Sequence, residues 1–128
     1  MYGFKTTFNG SFAEAIERVT EELKKEGFGV LSDIDVQATL KAKLDLDYLP
    51  YRILGACNPS FANRALTVDT DIGMLLPCNV VVRQETDKSI TVAFLDPAAL
   101  MALVEKEAIM QLAGEVRERL DRVCKALT

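Results

Sequence analysis

The side chains best suited to chemistry in this chain are two cysteines, each followed by an asparagine and set beside a proline: Ala56-Cys57-Asn58-Pro59 and Leu76-Pro77-Cys78-Asn79. A thiol at a helix start gains thiolate character from the partial positive charge there, whereas a thiol inside a strand is a small, inert hydrophobe. Asn58 and Pro59 read as the cap and first turn of a helix, which puts Cys57 just before the cap. Cys78 begins or interrupts a strand after Pro77. If the two strands are neighbours, the sulfurs can approach each other. That would allow a redox disulfide or a two-sulfur contribution to a soft-metal site. Packing at tight turns accounts for the same residues without chemistry. Asn58 and Asn79 can cap a helix, fix a turn, or donate a hydrogen bond to a bound anion or carbonyl.

What surrounds these thiols narrows the chemistry. The chain has no histidine and no tryptophan. Ser-His-Asp and Cys-His catalysis, His-ligated zinc and His-ligated haem all need an imidazole. Two thiols alone do not close a tetrahedral zinc site, although a dimer could bring four together. Asp33/Asp35, Asp45/Asp47 and Asp69/Asp71 form three Asp-x-Asp pairs. On a strand, Asp33 and Asp35 face the same way and could hold a hard cation, but capping the next helix is the simpler role. No calcium-loop pattern follows any pair. Lys41, Lys43, Arg52 and Arg64 could grip an anionic ligand, Arg in bidentate fashion; a solvated helical face is the simpler account. Gly55 and Gly73 belong to no phosphate-binding loop. Cys124 reads as packing. No nucleophile–base pair is identified, so no catalytic residue, metal or cofactor is assigned, and whether the chain is an enzyme stays open.

The elements that must position these residues follow from periodicity. Residues 2–8 alternate as a strand. Ser11 with Glu14 forms a capping-box pattern, and Phe12, Ala15, Ile16, Val19 and Leu23 recur at helical spacing up to Gly27. A second strand runs from Phe28 to about Asp35. A short helix over Val36–Leu44 carries Val36, Leu40 and Leu44 on one face. Tyr51–Ala56 reads as a third strand, followed by a helix to about Val68 and a loop at Asp69-Thr70-Asp71. A fourth strand lies within 75–84 and a fifth at 89–95, joined by a turn at Asp87-Lys88. Asp96-Pro97 opens a final helical region, with a clean amphipathic stripe at Ala113, Val116, Leu120, Val123 and Leu127. This order predicts one α+β domain over residues 1–128, a mostly antiparallel sheet of about five strands with helices on one face and a long C-terminal helix.

At 128 residues the chain can close one hydrophobic core. A formal charge of −4 is a poor basis for binding nucleic acid. Three cysteines fit a reducing compartment better than a disulfide-stapled fold. Met1–Lys5 lacks the character of a signal peptide, and no apolar run is long enough to span a bilayer. The expectation is a cytoplasmic protein with no membrane partner.

Leu54-Gly55-Ala56-Cys57-Asn58-Pro59, Ala62, Ala65-Leu66, Gly73 and Leu75-Leu76-Pro77-Cys78-Asn79-Val80-Val81-Val82 together resemble domain of unknown function family 302. Asp33-Ile34-Asp35-Val36, Lys43-Leu44 and Asp96-Pro97 match as well, so the resemblance covers nearly the whole chain. Asn63 stands where many members have histidine, and Asp33 where many have glutamate. The resemblance implies a TATA-binding-protein-like fold with a β-α-β(4)-α core and a tendency to form homodimers. No activity comes with it. The leading expectation is a small-ligand or partner-binding homodimer with a site around Cys57, Asn58, Cys78 and Asn79. The alternatives are a thiol-redox or sulfur-handling protein using Cys57 and Cys78, and a structural dimerisation module.

Overall fold

The first strand of this protein does not pair with the second. The computed structural model describes residues 1–128. Its elements run β1 (Gly3–Phe8), α1 (Phe12–Lys25), β2 (Gly29–Asp35), α2 (Val36–Leu44), β3 (Tyr51–Cys57), α3 (Pro59–Val68), β4 (Cys78–Gln84), β5 (Ile90–Leu95), α4 (Pro97–Met101) and α5 (Glu107–Ala126). Short 3₁₀ turns cover Thr70–Leu75 and Ala102–Val104. The sheet order is β1-β5-β4-β3-β2, and every neighbouring pair is antiparallel. From β1 the chain crosses the whole sheet through α1 to the far edge, then walks back strand by strand. The α+β expectation therefore holds, as a β-α-β(4)-α core in which α2, α3 and α4 are insertions.

The core lies between one sheet face and the helices. Phe8, Leu54, Ala56, Cys78, Val80, Val82, Ile90, Val92 and Phe94 alternate along their strands and meet Ala15, Val19 and Leu23 of α1 and Val116, Leu120, Val123 and Leu127 at the C-terminal end. The capping box forms as its sequence demands: the Glu14 N–H donates to Ser11 Oγ and the Ser11 N–H to Glu14 Oε1, each at 3.1 Å. A smaller cluster of Ala65, Ile72, Met101, Ile109, Leu112 and Ala113 joins α3, the first 3₁₀ turn, α4 and the start of α5. No helix is long and apolar enough to cross a membrane.

Two local expectations need correction, and one gains a boundary: the long helix within the final helical region starts at Glu107. Ile109 and Leu112 prolong its buried stripe, but Lys106 supplies no side-chain cap to mark the start. The Asp69–Asp71 loop is instead the entry to a 3₁₀ turn, where Asp69 Oδ1 accepts from the Asp71 N–H at 3.0 Å and Ile72 is buried. Finally, α2 forms over its expected residues, yet none of them is buried. It follows the edge strand β2 and touches β3, where Val36 and Leu40 are half-buried, while Leu44 is exposed.

Candidate functional site

Both Cys-Asn motifs fall at the same end of the central strand pair β3–β4. Cys57 is the last residue of β3 and Cys78 the first of β4. Asn58 caps α3: its Oδ1 accepts from the Phe61 N–H at 3.4 Å, and Pro59 occupies the first turn. Asn58 Nδ2 also donates to the Glu26 carbonyl at 3.4 Å, tying α3 to the end of α1. This approach needs a glycine at 27, where φ is +86° and a Cβ would lie 2.9 Å from Asn58 Nδ2. Arg119 on α5 donates to the same Glu26 carbonyl at 3.0 Å.

The ends of β3 and β4, α3, α4 and α5 enclose a cavity of about 50 Å³. Thirteen of its sixteen lining residues are hydrophobic, so it suits an apolar occupant. Small side chains at Ala56, Ala62, Ala65 and Ala113 leave the space, and Phe28, Met101, Ile109, Leu112 and Val116 wall it. The lining residues that keep contact with solvent include Cys57, Asn58, Phe61, Ala62, Leu76 and Pro77. Six of the sixteen lining residues come from α4 and α5, and apart from Pro97 they carry no motif. Their only sequence signal is the apolar stripe of α5, which reads as ordinary packing.

The other expected site residues are distributed elsewhere. Asn79 is exposed and pairs with Gly55, so it falls on the opposite sheet face from Cys78 and leaves the cavity. There it lines a groove with Lys5, Val81 and Arg83. Asp33 and Asp35 do share a strand face, but each is engaged. Asp33 takes a bidentate pair from Arg52, with Nε to Oδ1 at 2.7 Å, and Asp35 Oδ1 caps α2 by accepting from the Ala38 N–H at 2.9 Å. The Arg52 guanidinium holds the Asp33 carboxyl below its usual range against a smaller opposing effect of burial. Arg52 is thereby neutralised, Arg64 pairs with Glu115 across α3 and α5 at 3.3 Å, and Lys43 projects from α2. The three cations lie on separate elements and do not assemble an anion site. Asn63 is exposed on α3 and does not line the cavity. No group of three or more Cys, Asp and Glu side chains is arranged to hold a metal ion.

The register also bears on the thiols. Cys78 lies opposite Ala56, so Cys57 is one position out of step and the two cysteines are not a directly opposed pair. All three cysteines are free. Burial, with a smaller contribution from neighbouring Cys57, pushes the Cys78 thiol up to about 11. A thiol buried this way is a poor nucleophile at neutral pH. Its native pKa exceeds the roughly 8.5 of an unfolded chain, so its stabilising effect is complete below that pH and fades as pH rises towards 11. Between pH 8 and 10.5 the wild type should lose about 2 kcal/mol more unfolding free energy than Cys78→Ala, measured by urea titration at both pH values. Equal losses would mean that Cys78 is not desolvated.

Residues 4–127 match the family model described as domain of unknown function DUF302. The chain belongs to the DUF302 family. No curated protein matches it. Among solved structures it is similar to the crystal structure of an uncharacterized conserved DUF302 protein from Bacillus stearothermophilus. The two share 32% identity and a TM-score of 0.93, over 100% of this chain and 99% of the other. DUF302 is a family of unknown function, and the whole fold described above, cavity walls included, lies within the matched residues.

Proposed function

We propose that this DUF302 protein is a binding module, working as a pair of identical chains, that takes a small apolar group into the cavity between β3, β4, α3 and α5. One observation carries the reading: Cys57, Asn58 and Cys78 converge on a cavity walled by hydrophobic side chains and kept open by four alanines. The polar side chains around it suit binding better than catalysis. Asn58 is engaged in capping, and Cys78 is buried and neutral. Half-buried Cys57 offers a polarisable sulfur at the open side, suited to a soft contact with a ligand. An engineered cavity of about 150 Å³ takes benzene, so this one, about a third of that size, suits a group no larger than a methyl group or a xenon atom.

Methyl NMR under xenon pressure tests the reading. Saturable shifts are expected at Ala62, Ala65, Met101, Leu112 and Val116, weakened at least about tenfold in Ala62→Phe, where the new ring fills the cavity from a partly exposed position. Unchanged shifts in that variant, or none in the wild type, would defeat the proposal.

The thiol-redox alternative has less support, because Cys57 and Cys78 are out of step in register and Cys78 resists ionisation.

A further inference from the structure

No residue from Gly29 to Ile53 is buried, although 27 of the 128 residues are buried over the whole chain. An average stretch of that length would contain about five. The segment is nevertheless regular. β2 is hydrogen-bonded to β3 along its length, α2 is capped by Asp35, and Lys41 Nζ reaches Asp45 at 2.9 Å and Asp47 at 3.1 Å beyond the helix end. Helices are stabilised in proteins mainly by burying an apolar face, and α2 only half-buries Val36 and Leu40 and leaves Leu44 exposed.

Six large apolar side chains stand out here. Leu31, Ile34, Leu44, Leu46, Tyr48 and Leu49 are 42–74% exposed. Together they present about 600 Å² of surface, against about 800 Å² per partner in a stable complex. β2 is also an edge strand, with no strand of the chain on its outer side. The same segment carries both signs of charge: Lys41 pairs with Asp45 and Asp47 within the chain, and Lys43 has no such partner. This balance lets the surface face a second copy across a two-fold axis without like-charge repulsion, with each Lys43 free to pair with the other copy's acids.

We propose that residues 29–50 form the contact surface of a symmetric homodimer, with a second copy of this chain as the occupant. The assignment rests on the paired-chain reading above and adds its location. Sedimentation equilibrium across the micromolar range tests both separately. Wild type and a control, Met74→Glu with Leu103→Glu at exposed sites elsewhere, should sediment at twice the 14.1 kDa chain mass. Leu44→Glu with Tyr48→Glu should sediment as a monomer, its dissociation constant raised at least about 100-fold. Dimers as tight as wild type in that variant would overturn the location and leave pairing intact; a wild type monomeric throughout would overturn both. Hydrogen exchange on the wild type gives a reading free of any variant. Amides of β2 and residues 44–49 should gain protection as concentration rises, and protection independent of concentration there would also overturn the location.

Discussion

Gly55→Val is expected to destabilise the protein by about 3 kcal/mol, because the site junction has no room for a side chain there. A Cβ at Gly55 would lie 2.2 Å from Ser32 Oγ and 2.8 Å from Pro77 Cγ. The Ser32 hydroxyl can rotate away on its exposed strand. The Pro77 ring cannot, since it is part of the backbone leading into β4. Nor can Gly55 retreat, because β3 is hydrogen-bonded on both sides, to β2 and to β4. Pro77 must move, and with it Cys78 and the mouth of the cavity. Chemical denaturation measures the cost. Gly55→Ala should cost less, and less again beside Ser32→Ala, which removes the softer of the two contacts. A change within about 0.5 kcal/mol for Gly55→Val would show that the junction yields freely.

Phe94→Ala should cost more still, about 3–5 kcal/mol. Phe94 is 1% exposed in β5 and lies opposite Phe4 of β1, their rings stacked with centroids 5.3 Å apart. The Arg117 guanidinium sits 4.0 Å from the centre of the Phe4 ring and pairs with Asp96, whose carboxylate caps α4. One ring therefore anchors an edge strand, the long helix and the turn that closes the sheet. Its loss leaves a void against α1 and α5 and frees Phe4 on one face. Domains of this size have about 5–15 kcal/mol in total, so the variant should approach unfolding at moderate temperature. Urea titration gives the size of the loss, and hydrogen exchange should show β1 losing protection before β3. Phe94→Leu, which keeps most of the volume, should cost about 1–2 kcal/mol. A cost below about 1 kcal/mol for the alanine variant would place the structural centre elsewhere.

The candidate site was half legible in the sequence. Asn58-Pro59 announces a capped helix, which correctly places Cys57 immediately before it, and Pro77 announces the strand beginning at Cys78. Such signals act within a few residues, through a cap bond or a fixed φ, so they survive without knowledge of the rest of the chain. Asn79 shows where that reading ends. It adjoins Cys78 in sequence but faces the other way, because strand neighbours alternate. The cavity's α4 and α5 walls lie tens of residues away and look like ordinary core in the sequence.

By itself, then, the sequence determined element types, most caps and the stripes on α1 and α5. Those depend on backbone preference and on a period of two or 3.6 residues. Only the tertiary structure decided that β1 pairs with β5, that Cys57 and Cys78 are one step out of register, and that α2 touches β3 yet leaves Val36 and Leu40 half-covered and Leu44 exposed. Each of these follows from which distant surfaces win the competition for burial. An apolar stripe states that a face seeks a partner, but its periodicity carries no information about which partner it finds.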